Sequence, residues 1–183
     1  MTTGALTEAF IAPPRRIPLV LRFGLWISRR VTGEDALVAR LLTWYPRAAI
    51  GTGVLESLVA KSVGRVDQRM LKIVRMTVSS AVECPFCIGF NGREWEKYLT
   101  HDELDVVQGR RDAADVASLD AAERLAIEYS LLLTRTPIVV PREIGERLRE
   151  QFTEREIVVL ATTIAQVDYW ARVVQGLGCP PLG

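Results

Sequence analysis

The stretch that decides the fold is Lys72-Ile-Val-Arg-Met-Thr-Val-Ser-Ser-Ala-Val-Glu-Cys84-Pro-Phe-Cys87-Ile-Gly-Phe-Asn91. Its first part is an apolar segment at helical spacing, for which we predict a helix over residues 70–81. Pro85 then breaks the pattern and suits the first turn of a second helix, which we predict to run to about Leu99. The two cysteines therefore stand at a predicted helix start, Cys84 at the cap and Cys87 in the first turn.

Outward from this stretch, the sequence continues to indicate helices. We find no convincing run of the alternation typical of strands. Three segments are typical of helix N-termini, because an acceptor side chain is followed three residues later by Glu. These segments are Thr100–Glu103, Asp120–Glu123 and Thr153–Glu156. The other predicted helices are 36–44 after a cap within Thr32–Asp35, 46 to about 63, and 141–151, and the helix opened at Thr153 is predicted to end near Gln175. The expected fold class is all-α.

Length and composition predict a single globular domain. The chain has 183 residues, of which 49% are hydrophobic and 25% charged, and its net charge is +1. Such a chain has enough apolar mass for a core and lacks the basic excess of a nucleic-acid-binding protein. We predict an N-terminal arm over residues 1–16, where Pro13-Pro14 and Arg15-Arg16 lie, and one helical domain over residues 17–183.

The most apolar early segment, residues 17–27, does not resemble a membrane anchor. It is 11 residues long and is interrupted by Arg22, whereas a spanning helix needs about 20 apolar residues. It also lacks a small-residue cleavage site after it. We therefore expect a cytoplasmic protein without membrane contact, in which this segment forms a helix packed on the domain or on a second subunit.

The last predicted helix carries an unusually wide apolar stripe. Ile157, Leu160, Ile164, Val167 and Ala171 follow helical spacing. Val158, Val159 and Trp170 widen that stripe beyond what one neighbouring helix buries. Burial in a homo-oligomer and a broad core face in a monomer both explain this pattern.

The Cys84–Cys87 pair is the one constellation with evident chemistry. At a helix start, unpaired backbone N–H groups favour a thiolate, and this setting lowers a cysteine pKa from ~8.5 to between ~3.5 and 7.5. Spacing of three residues also brings the two Cα atoms within disulfide range. Three interpretations compete: a redox pair, part of a zinc site with Cys179 and His101, and two small residues in a core.

The sequence from about residue 35 to 178 resembles the carboxymuconolactone decarboxylase / AhpD-like family. The resemblance centres on the stretch quoted above and extends to Trp44-Tyr-Pro46, Leu119–Tyr129, Val140-Pro141 and Phe152–Ile157. It implies an all-α domain that assembles as a trimer or hexamer, sometimes a dimer. It also implies a thiol peroxidase or disulfide-reducing activity, in which Cys87 is oxidised by a hydroperoxide and Cys84 resolves the product.

Two positions depart from the family's pattern. Lys72 stands where the redox branch has Glu, and Asn91 stands where it has His. Lysine titrates near 10.4 and asparagine does not titrate, so neither relays a proton well at neutral pH. We expect Cys84, Cys87, Lys72 and Asn91 to form the site, with no cofactor and no metal.

The expected function is a thiol-dependent peroxidase or disulfide oxidoreductase. Its expected partners are a second copy of the chain, a hydroperoxide and a thiol or disulfide reductant. The alternative, which Lys72 and Asn91 favour, is a member that has lost catalysis and serves as a binding or assembly module.

Overall fold

The computed structural model describes residues 8–32, 37–58 and 61–182, and over these residues the chain is helical. The predicted all-α class is confirmed: the described residues contain no strand, only an isolated bridge between Val63 and Val66. Short 3-10 turns lie at Trp95–Lys97 and Ala113–Asp115. The α-helices of this part of the chain are α1 (Leu19–Thr32), α2 (Leu37–Leu42), α3 (Pro46–Leu58), α4 (Gln68–Ala81), α5 (Pro85–Asn91), α6 (His101–Val107), α7 (Ala121–Leu133), α8 (Arg142–Gln151) and α9 (Glu154–Gly176).

The described residues divide into two compact units. The first contains α1 to α3 and residues 173–180, and the second contains residues 61–172 and 181–182. Within the first unit, Phe10 N donates to Leu177 O at 3.0 Å and Trp44 Nε1 donates to Ala12 O at 2.9 Å. Residues 1–7 of the predicted arm lie outside the described part, and the boundaries 1–16 and 17–183 stay a prediction.

In the second unit, α4 is the central helix and is buried on two faces. One face contributes to a cluster with residues of α7, α8 and α9; the other contributes to a second cluster with residues of α6 and α7. The α4 residues of the first cluster are Met70, Leu71, Val74 and Val78, and those of the second are Ile73 and Met76. An α4 anchored in this way provides a fixed surface for α5, which follows it in the chain.

All three predicted capping boxes are present. Glu103 N donates to Thr100 Oγ1 at 3.3 Å and Thr100 N donates to Glu103 Oε2 at 2.8 Å. The equivalent distances are 2.8 and 2.9 Å for Asp120 and Glu123, and 3.4 and 2.7 Å for Thr153 and Glu156. Each box satisfies two N–H groups that its helix leaves unpaired.

The three capping-box glutamates also converge on the start of α4. The Arg69 guanidinium donates to Glu103 at 2.8 Å and to Glu123 at 2.6 Å. Arg65 N donates to Glu156 Oε1 at 2.6 Å. The same carboxylates therefore cap three helices and attach them to one segment.

Two predicted helix ends are wrong. The helix opened at Pro85 ends at Asn91 and not near Leu99, because Gly92 caps it and Glu94 adopts a left-handed φ of 51°. The helix opened at Pro46 is described to Leu58, and residues 61 and 62 are not helical, so it does not reach Val63. Of the residues 32–35, within which a helix cap is predicted, 33–35 lie outside the described part.

Helix α9 is long and apolar enough to cross a membrane by length and composition. In the second unit, however, Leu160, Ile164 and Val167 of this helix are buried in the first of the two clusters. A core helix of a globular domain passes the same test, so α9 by itself does not indicate a membrane protein.

Candidate functional site

The cysteine pair occupies the start of α5, as predicted. Cys84 is the N-cap, with an extended backbone conformation, and Pro85 is the first helical residue. Cys87 N donates to Cys84 Sγ at 3.2 Å, so the sulfur takes the place that a Ser or Asp oxygen has in an ordinary cap. The two Cα atoms are 5.2 Å apart and a disulfide joins the side chains.

Both sulfur-bearing residues are buried. Cys84 is 1% exposed and Cys87 3%. Phe86 lies between them in sequence, and its ring stacks with that of Phe90 at 6.2 Å between centroids. The pair is therefore enclosed by the protein and almost out of contact with solvent.

The turn between α4 and α5 is held by backbone hydrogen bonds. Cys84 N donates to Ser79 O at 3.2 Å and Glu83 N donates to Ser80 O at 3.0 Å. Glu83 has a left-handed φ of 48° and is exposed. Its carboxylate is thus on the surface beside the cap and not enclosed with the sulfurs.

Lys72 does not point its charge at the amino end of α5, where the cysteines lie. Its Nζ donates to Asn91 O and to Arg93 O, both at 2.8 Å, and lies 5.5 Å from the centroid of the Tyr98 ring. These contacts place the ammonium at the carboxyl end of α5. Burial, with a smaller contribution from the charge of Arg75, lowers the pKa of Lys72.

Asn91 is fixed by Ser79, a residue that the sequence analysis did not single out. Ser79 Oγ donates its one hydrogen to Arg75 O at 2.7 Å, so it can only accept from Asn91 Nδ2, at 2.9 Å. The orientation of the Asn91 amide follows from this. Ser79 stands seven residues after Lys72, which places both residues on the same face of α4. This spacing is the feature of the sequence from which Ser79 could have been predicted to lie at the site.

The structure thus places Lys72 in contact with Asn91. The contact is to the backbone carbonyl of Asn91 and not to its side chain. Cys84 and Cys87 lie at the other end of the same short helix. The four residues expected to form the site share one helix–helix contact, and the described contacts do not join Lys72 to either sulfur.

No described hydrogen bond or ring contact joins His101 or Cys179 to these four residues. The His101 ring packs edge-on against Trp95 at 5.0 Å. Cys179 is a buried free thiol in the first unit, and burial raises its pKa. Over the described residues, no cluster of three or more His, Cys, Asp or Glu side chains is placed to hold a metal ion.

Comparison with known proteins gives relatives of low identity along nearly the whole chain. No family model matches it. The uncharacterized protein YnjA of Escherichia coli (strain K12) is 26% identical over 181 residues, which cover 94% of each chain.

Two solved structures have closely similar backbones. The debrominase Bmp8 superposes with a TM-score of 0.80 at 15% identity, over 96% of this chain and 94% of that one. An uncharacterized peroxidase-related protein from Ralstonia eutropha JMP134, described as an alkylhydroperoxidase AhpD core, superposes with a TM-score of 0.78 at 17% identity, over 95% and 92%. These likenesses, with the helical architecture above, show that the chain has the all-α AhpD-like fold that the resemblance of its sequence predicts.

Proposed function

We propose that the protein is a thiol-dependent peroxidase and disulfide oxidoreductase that works through Cys84 and Cys87. The observation that carries the proposal is the disulfide between these residues at the start of a helix, in a buried position. The AhpD-like fold and the peroxidase-related description of a structural neighbour support it.

The reaction begins with the reduced pair. As the family resemblance implies, the Cys87 thiolate attacks one oxygen of a hydroperoxide, the O–O bond breaks, and the departing alkoxide takes a proton to become an alcohol. Cys84 then attacks the resulting sulfenic acid, forms the disulfide and releases water. A reducing dithiol returns two electrons and two protons in the next half-reaction.

The hydrogen bond at the N-cap of α5 favours one of the two sulfurs as the one that the reductant attacks. Cys87 N–H donates to Cys84 Sγ, and such a hydrogen bond stabilises negative charge on the Cys84 sulfur. A sulfur with a more stable thiolate is the better leaving group in disulfide exchange. The reductant therefore attacks Cys87 and releases Cys84.

Lys72 and Asn91 are poorly placed to transfer protons to or from the sulfurs. Lys72 is engaged with two backbone carbonyls and Asn91 with Ser79, so neither supplies a relay. General acid–base catalysis contributes about 100-fold or more where it operates. We therefore expect peroxide to oxidise the pair slowly. The rate of exchange with dithiols is expected to be less affected.

Thiol titration before and after one equivalent of peroxide tests the proposal. The reduced wild type is expected to lose two thiols per chain, and Cys179→Ser the same two. The single variants Cys84→Ser and Cys87→Ser are expected to form no intramolecular disulfide. Absence of thiol loss over hours would support the binding module that has lost catalysis.

A second candidate is reductive removal of a halogen from an aromatic ring. The observation that favours it is the Phe86–Phe90 stack beside a pair without an acid–base relay. A structural neighbour is the debrominase Bmp8, of which a cysteine-to-alanine variant was solved in complex with 2,3,4-tribromopyrrole. A dithiol and an aryl bromide give the dehalogenated ring, a disulfide and hydrogen bromide. Bromide release from tribromopyrrole, in place of peroxide consumption, identifies this activity.

Self-association is part of the proposal, as is a cytoplasmic location. Helix α1 exposes Leu19, Val20, Phe23, Trp26 and Ile27 on the chain taken alone. An apolar surface of this kind usually marks an interaction site. A second copy of the chain is the partner that the family resemblance implies.

A further inference from the structure

Helix α5 is attached to α4 at both of its ends. At the amino end, Cys84 N donates to Ser79 O at 3.2 Å. At the carboxyl end, Lys72 Nζ donates to Asn91 O and Arg93 O, and Asn91 Nδ2 donates to Ser79 Oγ. Two α4 residues, Lys72 and Ser79, therefore provide all of these contacts.

The Lys72 ammonium acts on carbonyl groups and not on the sulfurs. Asn91 follows Cys87 by four residues, which corresponds to about 6 Å along a helix axis. The last carbonyls of a helix point away from its amino end and lack partners within the helix. A lysine that donates to such carbonyls is a helix cap, and its charge complements the negative end of the helix.

We propose that Lys72 is a positioning residue which, by holding the carboxyl end of α5 against α4, shifts the equilibrium of the Cys84–Cys87 pair toward the disulfide. The inference rests on the proposed redox function of the pair. In the disulfide the two cysteines are already held together by a covalent bond. In the dithiol no covalent bond holds the first turn of α5, which is kept in place by hydrogen bonds and by the burial of Phe86 and Cys87, so loosening the helix adds freedom mainly to the reduced state. Loss of the cap therefore makes the disulfide less favourable.

The equilibrium is measured against dithiothreitol in the full-length chain carrying Cys179→Ser. Two electrons and two protons pass from the protein dithiol to oxidised dithiothreitol, which becomes the free dithiol. We expect Lys72→Met to lower the equilibrium constant for disulfide formation about tenfold, equivalent to a reduction potential about 30 mV less negative. Ser79→Ala is expected to shift it in the same direction, since Asn91 then loses its acceptor.

Matched variants separate positioning from a general effect of charge. Lys97→Met removes a neighbouring cation that is exposed and paired with Glu94, so its equilibrium constant is expected to equal that of the parent. Lys72→Arg keeps a donor at the two carbonyls, so its equilibrium constant for disulfide formation is expected to be closer to that of the parent than to that of Lys72→Met. Thiol pKa values, from thiolate absorbance against pH, are expected to stay the same in Lys72→Met, because the ammonium lies away from the sulfurs.

Several results would overturn the inference. An equilibrium constant in Lys72→Met equal to that of the parent would exclude a positioning role. A rise in thiol pKa together with a larger equilibrium constant for disulfide formation would show that Lys72 acts on the sulfurs through its charge, because a less stable thiolate disfavours the reduced pair. If Lys72→Met does not fold, the inference is tested with Lys72→Arg and Ser79→Ala. An equilibrium constant for disulfide formation in Ser79→Ala equal to that of the parent then contradicts the inference. A parent pair that does not exchange with dithiothreitol contradicts the proposed function as well, whereas normal exchange without a Lys72 effect contradicts the inference alone.

Discussion

At the scale of single residues, Gly64 is the position where a side chain is excluded most sharply. It adopts a φ of +53°, and a Cβ there would overlap Glu156 Oε1. That oxygen accepts from Arg65 N at 2.6 Å, so it cannot withdraw without losing the bond. We expect Gly64→Ala to lower the free energy of unfolding by about 3 kcal/mol, from left-handed strain and a weakened charged hydrogen bond.

Gly109 provides the control for this prediction. Its φ is +70°, but no atom lies within 4 Å of an added Cβ. Gly109→Ala is therefore expected to cost only the strain, about 1 kcal/mol. Urea unfolding of both variants gives the comparison, and equal losses would show that Glu156 makes room for the methyl group.

At the scale of helices, the attachment of α6 and α7 to α4 depends on ionised carboxylates. Burial raises the pKa of Glu103, but hydrogen bonds from Arg69, Ser118 and the Thr100 amide outweigh it and lower the pKa from 4.5 to about 2. A carboxylate with a lowered pKa stabilises the folded state above its unfolded pKa. That stability is expected to disappear as pH falls from 4.5 toward 2.

Glu103→Gln tests this dependence. The variant leaves Glu123 as the one described carboxylate that pairs with Arg69, and we expect it to lose about 2–3 kcal/mol at neutral pH. It is also expected to lose less stability than wild type between pH 4.5 and 2. Glu128→Gln is the control, because the Glu128–Arg147 pair is exposed and such pairs contribute ~1 kcal/mol or less. An unchanged acid transition in Glu103→Gln would contradict the assignment.

At the scale of the whole molecule, the exposed face of α1 leads us to expect self-association. Phe23 and Trp26 stack on this face with 5.8 Å between ring centroids and remain more than half exposed. Aromatic side chains bury about 150–250 Å² each when covered, a large share of the ~800 Å² per partner in a typical interface.

The double variant Phe23→Ser with Trp26→Ser is expected to shift the protein toward the 20.4 kDa monomer in light scattering. Arg142→Ser, on an 89% exposed side chain of α8, is expected to leave the mass unchanged. Wild-type protein that is already monomeric at micromolar concentration would contradict the prediction.

Local chemistry in the sequence was sufficient to predict much of this molecule. The three capping boxes, the proline at the start of α5 and the placement of Cys84 and Cys87 all depend on residues within three or four positions of each other. Hydrogen bonds over such short separations form wherever the helix forms, so the pattern of residue types predicts them. The resemblance to AhpD-like proteins rests on the same local landmarks.

Tertiary packing decided what the sequence could not show, namely the environment of Lys72. Lys72 and Asn91 are nineteen positions apart, and their contact exists only because α5 folds back onto α4. The same contact supplies a partner for the Asn91 carbonyl at the carboxyl end of α5. A lysine in a sequence shows its charge but not its hydrogen-bond acceptors, which are determined by long-range packing.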